Sequence, residues 1–298
     1  MAVSRFSVMD RAAACIKTPD ARDSRDNRPM RLASLAMYSS HPPLVAATDM
    51  LWGFIRDGLR RAGLPGIPEV LDEDVAYDAA WLRPDLLLAQ TCGFPYVKRL
   101  RGKVRLVATP VYDLPGCDGA MTRSFIIVAR NCQAQSLGDL RGAVAAINEP
   151  GSNSGTNLFR AAIAPFAQGG RFFSSVIETG SHLASIDAVA TGMADIASID
   201  CITFGNTNRF EPARLANIRV LGETEGGPGL PFVTHATTSD EELAMLRRIL
   251  ASVETVPELS QVRDILSLRR FEVLSDADYE RLADLERQAI ALGYPEIA

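Results

Sequence analysis

Histidine is scarce in this chain and cysteine is scattered. Three histidines, His41, His182 and His235, occur in 298 residues. The five cysteines, Cys15, Cys92, Cys117, Cys132 and Cys201, form no C-x-x-C pair and no Cys/His cluster. A structural zinc site needs closely spaced thiolate and imidazole ligands, so this usage speaks against a metal centre. An odd cysteine count without a spacing pattern gives no disulfide framework, and reduced thiols are the expectation. Basic excess is missing too: 31 Lys and Arg stand against 36 Asp and Glu, a net charge of −5. That balance disfavours nucleic acid or an anionic membrane as a partner. It does not disfavour a small anion, because a local site can oppose the global charge. No apolar run reaches the length of a membrane span.

The opening residues, M-A-V-S-R-F-S-V-M-D-R-A-A-A-C-I-K, lack the apolar core of an export signal, since Asp10 and Arg11 interrupt it. Cys15 is not preceded by a lipoprotein pattern. The segment that follows carries Arg22, Asp23, Arg25, Asp26 and Arg28 and is expected to be disordered, with the ordered chain beginning near Met30. Taken alone, these features point to the cytoplasm.

What the chain does have is 47% apolar and 22% charged residues, ordinary for a soluble globular protein long enough for two lobes. The most informative stretch is A-V-A-A-I-N-E-P-G-S-N-S-G-T, residues 143–156. Its apolar start reads as a buried strand and its end as a small polar turn. Leu158, Ala161, Ala162 and Phe166 then follow at helical spacing. A helix N-terminus carries unpaired N–H groups and partial positive charge, so strand, polar turn and helix can form an anion cradle. Ser152 or Ser154 can equally be a simple helix cap.

Strands and helices alternate along the rest. Strands are expected at 31–38, 69–71, 85–90, 103–110, 123–130, 175–179, 195–199 and 218–221, and within 228–235. Helices are expected at 44–62, 74–82, 183–191, 239–253, 257–267 and 275–292, the last three packing on the first lobe. This is an α/β pattern with mostly parallel sheets. Ligands in such sheets sit beyond the C-terminal strand ends. The polar residues there are Tyr38-Ser39, Gln90-Thr91, Asn153 to Thr156, Gly180 to His182, and Asp200. Asp200 can face a ligand or cap the segment after it, and His182 can contact a ligand or cap the next helix. His41 reads as structural or exposed. Gly226, Gly227 and Gly229 lack the Lys-Ser/Thr end of a phosphate loop. G-S-N-S-G places Asn153, not serine, at its centre, so it is no hydrolase elbow.

Four blocks carry a resemblance: D-L-R-G-A-V-A-A-I-N-E-P-G-S-N-S-G-T-N (139–157), F-F-S-S-V-I-E-T-G-S-H (172–182), A-V-A-T-G-M-A-D-I-A-S-I-D (188–200) and P-G-L-P (228–231). In their order and spacing the chain resembles the phosphate/phosphonate substrate-binding proteins of ABC importers, with the type 2 periplasmic-binding-protein architecture. That resemblance implies two α/β lobes joined by two crossover strands, with residues 1–30 outside the fold. Residues 31–112 plus 223–298 would form lobe 1 and 113–222 lobe 2. It implies capture of a small oxyanion in the interlobe cleft by a monomer, without cofactor or metal, and an importer membrane subunit as possible partner. Ser154, Gly155 and Thr156 match the turn that holds the anionic group, and His182 matches a histidine that reaches it. Tyr38 matches a position at the end of the first strand that often contacts ligand, Tyr96 an aromatic lining the lobe 1 wall, and Asp200 a polar position at the ligand's other end. Thr91 and Asn153 complete the candidate set. Gly229 and Leu230 stand where binders of aminoalkyl groups commonly carry a carboxylate, which disfavours such a ligand. The resemblance implies the periplasm, against the reading of the N-terminus. The competing class is a small-molecule biosynthetic enzyme on the same fold, of the thiamine-pyrimidine or menaquinone-pathway type, with His182 and Cys201 as the reactive groups.

Overall fold

The computed structural model describes residues 29–298. The expectation of disorder before residue 30 falls almost wholly outside that range. The chain first lays down β1 (Leu32–Ser34), α1 (Pro42–Arg61), α2 (Tyr77–Ala80), β2 (Leu86–Gln90), α3 (Gly93–Pro95) and β3 (Val104–Tyr112). Short strands β4 (Cys117–Asp118) and β5 (Met121–Thr122) follow. Then come β6 (Ser124–Ala129), β7 (Val144–Ile147), α4 (Leu158–Ile163), β8 (Ser175–Glu178), α5 (His182–Thr191), β9 (Ile196–Asp200), α6 (Cys201–Phe210) and β10 (Ile218–Glu223). The return runs through β11 (Gly227–Pro228) and β12 (Phe232–His235) to α7 (Asp240–Ser252), α8 (Ser260–Leu266), β13 (Leu268–Glu272) and α9 (Asp276–Ala291).

Two five-stranded sheets result, ordered β1-β2-β12-β3-β13 and β10-β6-β9-β7-β8. The chain crosses between them twice, and the two crossings pair through β5 and β11, with Gly227 opposite Thr122 and Pro228 opposite Met121. Strand β2, inside the first sheet, is buried along its whole length, as its unbroken L-L-L-A-Q run requires. On the first sheet α1 buries Leu44, Ala47, Leu51, Trp52, Ile55 and Leu59. Pro42 and Pro43 suit its first turn, and Gly63, in the left-handed region at φ +82°, lets the chain leave it. The second sheet holds Ile126, Ile127, Val128, Ala145, Ala146, Ile196 and Ala197 with almost no solvent contact.

Several expectations are corrected. The first strand ends at Ser34 rather than residue 38, and Ala36–Tyr38 is a 3-10 turn that swings Tyr38 towards the other sheet. Residues 69–71 form no strand, and the helix expected at 74–82 is only Tyr77–Ala80. The sheets are mixed rather than mostly parallel. Of ten pairings among the described residues, only β1 with β2, β7 with β8 and β7 with β9 are parallel. The cause is the return path: β12 inserts antiparallel between β2 and β3, and β6 runs against both β9 and β10.

The C-terminal helix also differs. Helices α7 and α8 pack against α1, as expected, but α9 lies across both sheets. Ser275 and Asp278 start it with a capping box. On the first sheet, the buried Tyr279 hydroxyl bonds Thr109 Oγ1 (2.7 Å) and the Gly229 carbonyl (3.0 Å). On the second, Asn157 Nδ2 donates to the Leu282 carbonyl at 3.0 Å, and Ala289 joins the cluster of Phe159 and Tyr294. Leu282 fits against two glycines: a Cβ on Gly93 or Gly227 would lie 2.6 or 2.5 Å from its methyls. Leu282→Ala should therefore lower unfolding free energy by about 2–5 kcal/mol, the range for emptying a close-packed leucine site. Urea denaturation would read this, and a loss below ~1 kcal/mol would show that α9 is not a structural clasp.

Candidate functional site

The turn after β7 is built by its own small polar residues. Ser152 is extended, and its Oγ accepts the Gly155 N–H at 3.2 Å. Asn157 N–H reaches back five residues to the Ser152 carbonyl (3.1 Å), so Asn153–Asn157 is a widened π-type turn rather than the start of an ordinary helix. The regular helix α4 that follows has six residues. Two serines of neighbouring strands clamp the turn: Ser124 Oγ and Ser198 Oγ both donate to the Ser154 carbonyl, at 3.0 and 2.8 Å. This leaves the Ser154 hydroxyl pointing at His182, with Oγ and Nε2 2.9 Å apart. His182 opens α5, where Ser181 caps the Ala184 N–H (3.1 Å) after the left-handed Gly180.

A cavity of about 240 Å³ lies between the sheets. Tyr38, Tyr77, Cys92 and Leu230 line it from the first sheet's side. Asn148, Glu149, Ser154, His182 and Asp200 line it from the second. Among the described residues, no lysine or arginine lines it. Two phenol-to-carboxylate contacts span it: Tyr77 donates to Glu149 Oε2 at 2.6 Å and Tyr38 to Asp200 Oδ2 at 3.4 Å. Asp200 also caps α6, with Oδ1 accepting from Ile202 N–H and Thr203 N–H, both at 2.9 Å. The two readings of Asp200, cap and cavity residue, thus hold together.

Of the nine candidate residues, Tyr38, Ser154, His182 and Asp200 line the cavity. The other five lie outside its lining, for identifiable reasons. The Thr91 hydroxyl donates to the Cys92 carbonyl (3.2 Å) and its N–H to Pro231, tying the end of β2 to the P-G-L-P loop. Tyr96 is core: its ring meets Tyr279 edge-on at 5.3 Å and its hydroxyl donates to Asp276. Asn153 Oδ1 accepts from Asn157 Nδ2 (3.2 Å), and the Thr156 hydroxyl donates to the Glu149 carbonyl (2.6 Å). Gly155 leaves room for a side chain of the protein rather than for a ligand. A Cβ there would lie 1.9 Å from Asn148 Oδ1, so glycine is what lets Asn148 fold over the turn. His41 is buried at the start of α1, outside the cavity, with Nδ1 2.9 Å from Ser40 Oγ.

Sequence reasoning missed Asn148, Glu149 and Tyr77 as cavity residues, and Ser152, expected as a cap, both caps the turn and lines the cavity. Their signal was position: Asn148 and Glu149 directly follow the last residue of β7, where α/β sheets place ligand contacts. Asn148 Oδ1 is closed off from solvent and has no hydrogen-bond partner among the described residues. A buried acceptor left open in this way calls for a donor. Glu149 and Asp200 both line the cavity, so carboxylates stand there although the P-G-L-P loop, at Gly229 and Leu230, offers none.

Burial sets the electrostatics. It holds the His182 imidazole neutral, lowering its pKa from 6.5 to about 4. It pushes the Asp200 carboxyl from 3.8 up to about 6, against the lowering pull of the Thr203 and Ile202 N–H groups and the Tyr38 hydroxyl. It raises the Cys92 thiol to about 12, with the charges of Glu149 and Asp200 adding to the effect.

The two shifts act oppositely on stability. As pH falls from 6.5 to 4, unfolded chains protonate His182 and folded ones do not, so its contribution is lost on acidification. As pH falls from 6 to 3.8, folded chains take up a proton on Asp200 that unfolded ones do not, and stability is gained. Each is worth roughly 3 kcal/mol over its window. Asp200→Asn keeps a capping oxygen but removes the compensation. Its unfolding free energy should fall by roughly 3 kcal/mol more than the parent's between pH 6.5 and 4 in urea titrations. Parallel pH curves for the two proteins would refute the assignment.

Residues 80–279 match the family described as the periplasmic substrate-binding proteins of phosphonate ABC transporters. No curated protein matches the chain. Among solved structures, a binding protein component of an ABC phosphonate transporter from Pseudomonas aeruginosa superposes with a TM-score of 0.71 at 18% identity, over 90% of this chain and 88% of its own. PhnD1 from Prochlorococcus marinus, in complex with methylphosphonate, gives 0.69 at 14%, over 87% and 97%. XAC2383 from Xanthomonas citri, bound to ATP, gives 0.66 at 16%, over 89% and 98%. These likenesses establish a shared two-lobed α/β fold.

Proposed function

Because the chain belongs to the family of periplasmic substrate-binding proteins of phosphonate ABC transporters, we propose that its cleft captures a small phosphonate-type oxyanion that also carries a hydrogen-bond donor or a cation at its far end. The observation that carries this reading is the asymmetry of the cavity. Ser154 Oγ and His182 stand 2.9 Å apart on one side, while Tyr38, Glu149 and Asp200 line the rest. Hydroxyl, imidazole and the adjoining turn suit an oxyanion head, and hydrogen bonds to an ionised group are stronger than neutral ones. With no arginine or lysine among the described lining residues, two carboxylates favour a ligand that brings its own donors over a bare dianion. Solved cavities for drug-sized ligands run to about 300–1,000 Å³, so about 240 Å³ suits a small solute.

In this reading residues 31–112 with 223–298 form one lobe and 113–222 the other, with α9 laid across both. Hinge motion at the paired crossings would open the cleft. The protein would work as a monomer in the periplasm, handing its solute to the membrane subunit of an importer, without nucleic acid. Family membership supports the periplasm and gives none to the cytoplasmic reading of the N-terminus. It equally gives no support to the enzyme alternative, whose candidate Cys201 lies outside the cavity lining.

Calorimetry with methylphosphonate, an aminoalkylphosphonate, phosphate, phosphite and sulfate tests the reading. Phosphonates should bind, and sulfate, which brings no donor at neutral pH, should bind weakest. Asp200→Asn should weaken the aminoalkyl ligand by tenfold or more and strengthen methylphosphonate, since losing one buried like charge is worth about 1 kcal/mol or more. Detectable binding of none of these, or equal effects of the substitution on both phosphonates, would defeat the proposal.

A further inference from the structure

A second pair of side chains stands together beside the ligand cavity, and solute binding leaves it unused. Cys117 Sγ and Cys201 Sγ are 3.7 Å apart, joining residues 84 positions apart in the chain. Among the described residues no other two cysteine sulfurs lie within hydrogen-bonding reach, and Cys92, Cys117, Cys132 and Cys201 are all reduced. The two backbones are pressed together: a Cβ on Gly116 would lie 2.6 Å from Cys201 Cβ. Cys201 is the first residue of α6 and fully buried, directly after Asp200. Cys117 lies in β4, on the outgoing crossing between the sheets, and is partly exposed.

We propose that Cys117 and Cys201 are a disulfide-forming site, closed by a small-molecule or protein disulfide acting as oxidant, which locks the outgoing crossing onto the N-terminus of α6. A disulfide needs its sulfurs at about 2.05 Å, so side-chain rotation has only to close the remaining gap between segments already in contact. The chemistry divides by exposure. The contact between the two sulfurs lowers the Cys117 pKa, while the same contact and burial raise that of Cys201. The Cys117 thiolate therefore attacks one sulfur of the oxidant, expelling the other as a thiolate. Cys201 then attacks Cys117 Sγ in the mixed disulfide, giving its proton to the departing thiolate and expelling the second half as a thiol. Two protein thiols are oxidised, and one external disulfide is reduced to two thiols.

The full chain, incubated with oxidised glutathione and then denatured and alkylated, should show two fewer alkylated thiols. Peptide mapping should find the Cys117–Cys201 linked pair, and the mass should drop by two hydrogen atoms. The oxidised protein should melt at a higher temperature, and a reductant should reverse both changes. Cys117→Ser and Cys201→Ala should each abolish the linked peptide. Cys117→Ser, at the partly exposed position, serves if the buried variant fails to fold. Full alkylation of both cysteines after oxidation, a lasting glutathione adduct on Cys117, or a bond from either to another cysteine would overturn the proposal.

Discussion

A carboxylate buried at the wall of a cavity has to be held by hydrogen-bond donors, and Asp200 is held by three. Two come from the first turn of its own helix and the third is the Tyr38 hydroxyl from the opposite sheet. The helix start lies on the second sheet and the phenol on the first, so one side chain links local capping to the relation between the halves. The cost of this arrangement appears as the raised Asp200 pKa: burial outweighs the hydrogen-bond donors around it. Tyr77 and Glu149 repeat the device across the same cavity, with a shorter bond.

The polar turn after β7 shows how a short stretch can serve both structure and recognition. Most of its groups are consumed internally. Ser152 caps, Thr156 bonds back to Glu149, and Asn153 and Asn157 bond to each other. What remains turned towards the cavity is the Ser154 hydroxyl, paired with His182, and it is held there because the Ser154 carbonyl is tied down by Ser124 and Ser198. Rigidity of the backbone is what makes the remaining hydroxyl a defined contact.

Much of this was legible in the sequence, and the limits have physical causes. The apolar runs of β2, β6 and β9 and the stripe on α1 are local patterns with a fixed period, so they could be read directly. Ser154, His182 and Asp200 lie at or after strand ends, the places where such sheets hold ligands, and all three line the cavity. Antiparallel insertion of β12 could not be read, because pairing partners more than a hundred residues apart leave no mark in local periodicity. Tyr96 misled because a buried tyrosine and a cavity tyrosine look alike in sequence; its hydroxyl finds Asp276, not a ligand. Gly155 misled likewise, since the absence of a Cβ says that something approaches but not what, and here it is Asn148.

The position of β12 bears on the order in which this protein can be assembled. It is the middle strand of the first sheet, between β2 and β3, yet it follows the whole second sheet in the chain. A polypeptide emerging from the ribosome must therefore expose the facing edges of β2 and β3 until residues 232–235 arrive, and unpaired edges are templates for wrong partners. The second sheet, drawn from one continuous segment, is free to close first and present the returning strand. Folding of the first half is thereby gated by synthesis of the second. Until then the first sheet is incomplete, and its two open edges are the part of the chain most exposed to wrong pairing.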